Sequence, residues 1–124
     1  GANVRSIFCT PDCRILSEVK GFWRPERYRE EASLALAMSG EGRDAIATLH
    51  QTHAAGHEHE REDVEAERGQ RTEPEPKPSP RARRIAALNR MARSHEESVE
   101  LIHVPVEEYL DRIADEVWTK GNVG

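Results

Sequence analysis

The sequence predicts a mostly helical α+β fold, in which a β-hairpin runs directly into a long helix and a helical C-terminal segment completes the chain. Three observations predict it. Val4 to Thr10 and Arg14 to Gly21 carry β-branched and aromatic residues on either side of Pro11-Asp12-Cys13. Apolar residues recur at helical spacing through most of the chain beyond Gly21, and a proline-rich stretch divides the helical part in two. The expected organisation is a hairpin and helix over 1–39, a His/Glu-rich helix over 40–69, a linker over 70–80 and a helical segment over 81–124.

The hairpin rests on Val4, Ile7, Phe8, Ile15, Leu16 and Val19, joined by a Pro-Asp pair that favours a type I turn. Cys13 falls where such a loop usually places glycine, because its last residue tends to adopt the left-handed conformation. Gly21 closes the second strand, and Phe22 and Trp23 supply a large apolar anchor. Pro25 suits a first helical turn, where its missing N–H is no loss. From there Tyr28, Ala32, Ala35 and Leu36 are expected on one face, with Leu34 and Met38 widening it. Ser39-Gly40-Glu41-Gly42 should interrupt the helix, and a second runs from Arg43 to about Arg68. Its stripe opens with Ile46 and Leu49 and passes into His50, His53 and His57, then Glu60 and Val64. Histidine thus takes over the face that Ile and Leu began.

Four prolines between Gly69 and Pro80 favour an extended linker. Ser79 and Pro80 then offer a cap and a first-turn residue for a third helix, with Ile85, Leu88, Ala92, His95 and Val99 inward. Leu101 to Val104 is a short apolar run suited to a strand or a buried connector. Pro105 opens a fourth helix with Val106, Leu110, Ile113 and Val117 on one side and acids outward, ended by Gly121.

The order strand, Pro-Asp turn, strand ending in Val19-Lys20-Gly21, aromatic pair, Arg24-Pro25-Glu26-Arg27-Tyr28 and apolar helix resembles the C-terminal half of a thioredoxin-like domain. The resemblance covers about residues 2 to 38. It implies a half-domain of a longer protein, a final helix packed across the hairpin, and a role as a thioredoxin-like-derived interaction or scaffold module. It carries over no catalytic residue. Cys9 and Cys13 have three residues between them and lie on the hairpin, whereas the family's redox cysteines have two residues between them at a helix start.

Composition bounds the rest. Of 124 residues 36% are hydrophobic and 33% charged, so the core should be small and a protein partner or self-association is expected to help cover the hairpin. A net charge of −5 argues against general nucleic-acid binding, and no apolar run suffices for a membrane span. A soluble protein is expected, and its compartment is not legible. The chain opens on Gly1 rather than methionine, as a piece of a longer protein would. No nucleophile, base and orienting acid converge, so the expectation is non-catalytic, and no cofactor is required.

Two clusters nevertheless suggest a thiol- or metal-dependent redox or sensor module. His50, His53 and His57 project from one helical face with Glu60 beyond them, and imidazoles so placed can ligate zinc, with Cys9 or Cys13 completing a tetrahedral set. The bland alternative makes them boundary residues of an amphipathic helix. Cys9 and Cys13 could also act as a redox pair, with Arg14 activating the thiol beside it, or could simply be a strand residue and a turn residue. The arginines between Arg81 and Arg93 could meet phosphates, but no aromatic is interleaved among them, and pairing with the acids of 58–67 and 107–116 is the expectation.

Overall fold

The structure, a computed structural model, describes residues 4–67 and 79–122. Its elements are strands β1 (Arg5–Cys9) and β2 (Ile15–Lys20), helices α1 (Pro25–Met38) and α2 (Arg43–Ala66), helix α3 (Pro80–Ser98), a 3-10 turn at Val99–Leu101, and helix α4 (Val106–Asn122). The mostly helical α+β fold is therefore present, with an antiparallel hairpin ahead of long helices. Apart from Ser79 and Pro80, the linker expected over 70–80 lies outside the described residues, as does Arg68, the expected end of α2. Among the described residues, no helix is long and apolar enough to cross a membrane.

The hairpin pairs Arg5 with Lys20 and Phe8 with Ser17, and a bulge between Phe8 and Cys9 brings Cys9 opposite Ile15. The loop behaves as its residues demand. Cys13 N–H donates to the Thr10 carbonyl at 2.9 Å, and Cys13 takes a φ of 60°, the left-handed position expected of it. Gly21 ends β2 at φ 86°, a conformation glycine adopts without strain.

A two-stranded sheet has an open edge, and here helices close it. The run Ile15 to Val19 is buried throughout. Ile15 exchanges hydrogen bonds with Val104 and His103 at 2.9 and 2.7 Å, so the apolar run 101–104 docks on β2 as a connector. Farther along, Ser94 and Ser98 of α3 serve the backbone of Glu18. Ser94 Oγ donates to its carbonyl at 2.9 Å, and Ser98 Oγ accepts its N–H at 3.0 Å. The edge is thus covered by the backbone of the 103–104 connector at Ile15 and by serine side chains at Glu18 rather than by a third strand.

The core divides into three apolar clusters. Leu16, Leu34, Met38, Ile46 and Ile102 form one, Ile15, Leu101 and Tyr109 a second, and Val64, Leu88 and Met91 a third against Trp23 and Ile85. The inward faces differ from expectation at two helices. On α1, Leu36 is 78% exposed while Glu31 is buried, because the face toward α2 and the hairpin runs through Glu31, Leu34, Ala35 and Met38. On α4, Leu110 is exposed and Tyr109 buried. Tyr109 donates its hydroxyl proton to the buried Glu18 carboxylate, and Arg5 donates to Tyr109 Oη at 2.9 Å. Burial, with the adjacent carboxylate, pushes the Tyr109 phenol up to about 12. Helix α4 continues to Asn122, one residue beyond the expected stop at Gly121.

Candidate metal centre

The polar side chains at the centre of the molecule come from three helices. On α2, His50, His53 and His57 are three and four residues apart and share one face. They lie between Ile46 and Val64, so α2 carries a polar centre between two apolar clusters. His95 enters from α3 one turn after the buried Met91 and Ala92, and Glu31 enters from the buried face of α1. His50 and His95 are 0% and 1% exposed, and Glu31 and His57 are 3% and 7% exposed.

Hydrogen-bond logic assigns the protons. His50 Nε2 lies 2.8 Å from the Leu16 carbonyl, which can only accept, so Nε2 carries the hydrogen. Burial holds His50 below the ordinary histidine pKa, against the opposing effect of that bond, so the ring is neutral and its Nδ1 accepts. His95 Nδ1, 3.0 Å away, is then the donor. A neutral His95 so arranged turns its Nε2 lone pair toward Glu31 Oε1 at 2.9 Å, acceptor against acceptor. That contact holds only with positive charge in it, supplied by a proton or by a metal ion.

Two more atoms of the same cluster, Glu31 Oε2 and His57 Nε2, are buried without a hydrogen-bond partner among the described residues. Leaving such groups unpaired costs about 1–3 kcal/mol each. The His57 ring stacks on that of His95, with centroids 5.6 Å apart and planes 19° from parallel. Burial first, then the neighbouring His95 and Arg27, lowers the His57 pKa, so this imidazole too is neutral and able to ligate.

Glu31, His57 and His95 each present one ligand atom, all within 4.8 Å of one another. Tetrahedral zinc with bonds of about 2.0–2.1 Å holds its ligand atoms about 3.3 Å apart, a spacing between the 2.9 Å of the His95–Glu31 contact and the 4.8 Å within which the whole set lies. Two imidazoles and a carboxylate suit zinc, and three protein ligands leave a fourth position free. The His95 Nδ1–H bond to His50, itself fixed on the Leu16 carbonyl, is the kind of outer support that orients a ligating histidine.

The residues singled out from sequence fall in different places. His57 lies in the cluster, and His50 stands one hydrogen bond behind it. His53 is half-buried, its ring centroid 5.6 Å from that of His95 and tilted by 40°. Glu60 faces away into a clamp, 3.1 Å from both Arg27 and Arg84, whose attraction outweighs partial burial and keeps its carboxyl below the usual range. Cys9 and Cys13 are free, exposed thiols on the hairpin. Within the basic segment, Arg81 reaches the carbonyls of Val64 and Glu65 at 3.0 Å, and Arg84 pairs with Glu60. Arg83, Arg90 and Arg93 form no ion pair among the described residues. Helical spacing puts His95 on the inward face of α3 but does not join it to the α2 histidines, and it assigns no role to Glu31. The available signal was a carboxylate three residues before Leu34 and four before Ala35, in the middle of an apolar stripe. The chain matches no known protein family, no curated protein and no solved structure.

Proposed function

We propose that this protein is a metal-responsive module in which one divalent transition-metal ion, zinc foremost, is held by Glu31, His57 and His95. The observation that carries the reading is the convergence of His95 Nε2, Glu31 Oε2 and His57 Nε2 in one buried cluster, the last two without a hydrogen-bond partner among the described residues. A cation serves all three, and its binding displaces the proton shared by His95 and Glu31.

Helix α1 touches α2 and the hairpin far less than α2 and α3 touch each other. Its buried Glu31 is the contribution it makes to the cluster. Ion occupancy therefore fixes α1 onto the α2–α3 pair, which makes α1 the element whose order reports metal. We read the role as sensory or structural, and the exposed Cys9 and Cys13 take no part.

Native mass spectrometry and competition titration with zinc test this, alongside cobalt(II) absorption as a report of four-coordinate geometry. The expected result is one zinc per chain, lost on chelation, with affinity falling about 10–100-fold or more in Glu31→Gln and His57→Asn and unchanged in a Cys9→Ser/Cys13→Ser double variant. Zinc bound equally well by Glu31→Gln, or lost in the double cysteine variant, overturns the assignment.

A further inference from the structure

A second site lies outside the histidine cluster, in a groove of about 620 Å³ between the β2–α1 connection and the first half of α3. Five arginines line it: Arg24 and Arg27 from the start of α1, and Arg83, Arg84 and Arg90 from α3. Glu60 engages Arg27 and Arg84, whereas Arg24, Arg83 and Arg90 have no ion pair among the described residues. In a chain of net charge −5 this is a pronounced local excess of positive charge. Two helix N-termini open on the same groove, each begun by a proline. The α1 end carries Glu26 in its first turn and the α3 end is capped by Ser79 Oγ, so the positive charge of the groove is that of its arginines.

The groove is not only cationic. Trp23 forms one wall, fixed by its Nε1–H bond to the Lys20 carbonyl at 3.1 Å and by packing against the Val64, Leu88 and Met91 cluster. Phe22 stands beside it, 69% exposed. The aromatics missing from the basic segment in sequence are thus supplied in space, from the end of β2 some sixty residues away. A volume of this size accommodates a small molecule rather than a macromolecular face. Arginine forks match phosphate oxygens, and indole and phenyl rings match a planar heterocycle.

We infer that this groove binds a nucleotide, its phosphates on Arg24, Arg83 and Arg90 and its base against Phe22 and Trp23. The site is separate from the metal centre and does not depend on it.

The test uses the intrinsic fluorescence of Trp23 in a Trp118→Phe background, with chelator present so that no metal reports. ADP, inorganic pyrophosphate and a hexaglutamate peptide are titrated in turn. The expected result is a saturable response to ADP at one site per chain, weaker for pyrophosphate and absent for the peptide. Arg83→Ala/Arg90→Ala should weaken ADP about tenfold or more, since each loses a charge-assisted bond. Both arginines are exposed and without an ion pair among the described residues, so circular dichroism should stay that of the parent. Phe22→Ser should weaken ADP and leave pyrophosphate unchanged, which a purely electrostatic site would not do. Pyrophosphate binding as tightly as ADP, displacement of ADP by the peptide, indifference to the arginine substitutions, or no saturable response each overturns the inference.

Discussion

At the scale of single residues, the centre of this protein is a chain of proton assignments that begins at a backbone carbonyl. Leu16 O fixes His50, His50 fixes His95, and His95 confronts Glu31. The two rings that burial holds below the ordinary histidine pKa, His50 and His57, give this arrangement a pH signature. In the unfolded chain both take up protons near pH 6.5, and in the folded chain they resist doing so until lower pH. Their contribution to stability is therefore complete above about 6.5 and is lost as the pH falls below it, because there the unfolded state binds more protons. Metal-free protein melted in chelator should lose thermal stability between about pH 7.5 and about pH 5.5, and His57→Asn should flatten part of that slope. A melting temperature constant across this range would contradict the burial of neutral rings. The α2 histidines were legible in sequence because helical spacing alone puts them on one face. Glu31 was not, because an acid within an apolar stripe reads as a tolerated surface residue until a buried imidazole is seen opposite it.

At the scale of elements, the junction that matters most is that between β2 and α3. Ser94 and Ser98 are ordinary helix residues by propensity, yet they satisfy the buried carbonyl and N–H of Glu18, which a neighbouring strand would otherwise serve. Ser98→Ala should leave the Glu18 N–H buried without an acceptor and lower unfolding free energy by about 1–3 kcal/mol in urea denaturation. A change below about 0.5 kcal/mol would mean that the edge of β2 is open to water. The hairpin, the caps and the order of the helices could be read from the chain, since Pro11-Asp12, Gly21, Pro25 and Ser79-Pro80 each dictate local conformation. Which face of α1 and α4 turns inward could not. Leu36 and Leu110 have the apolar character of core residues, but the docking angles of their helices bury Glu31 and Tyr109 instead. Those angles are set by polar partners on β2 and α3 that lie far away in sequence.

At the scale of the whole molecule, the fold is three small apolar clusters arranged around polar contacts, and α1 enters only the first of them, through Leu34 and Met38. A ligand that binds only the folded state stabilises it by mass action, by about 2.7 kcal/mol when present at a hundred times its dissociation constant. For a domain of this size that corresponds to a rise of roughly 10 °C in melting temperature. Zinc at saturating concentration should therefore raise the melting temperature of the parent chain by about that amount and leave Glu31→Gln nearly unmoved. The location of the effect separates the reading from general salt or surface binding. Amide exchange should slow most over α1, the helix that the ion ties down through Glu31, and least over the Arg5–Cys9 strand, which has no ligand. A rise in melting temperature of equal size in Glu31→Gln, or protection spread evenly over the chain, would show that the ion acts elsewhere. In that case Glu31 and His95 would stand as a buried ion pair joining α1 to α3, the same contact with a proton in place of the metal.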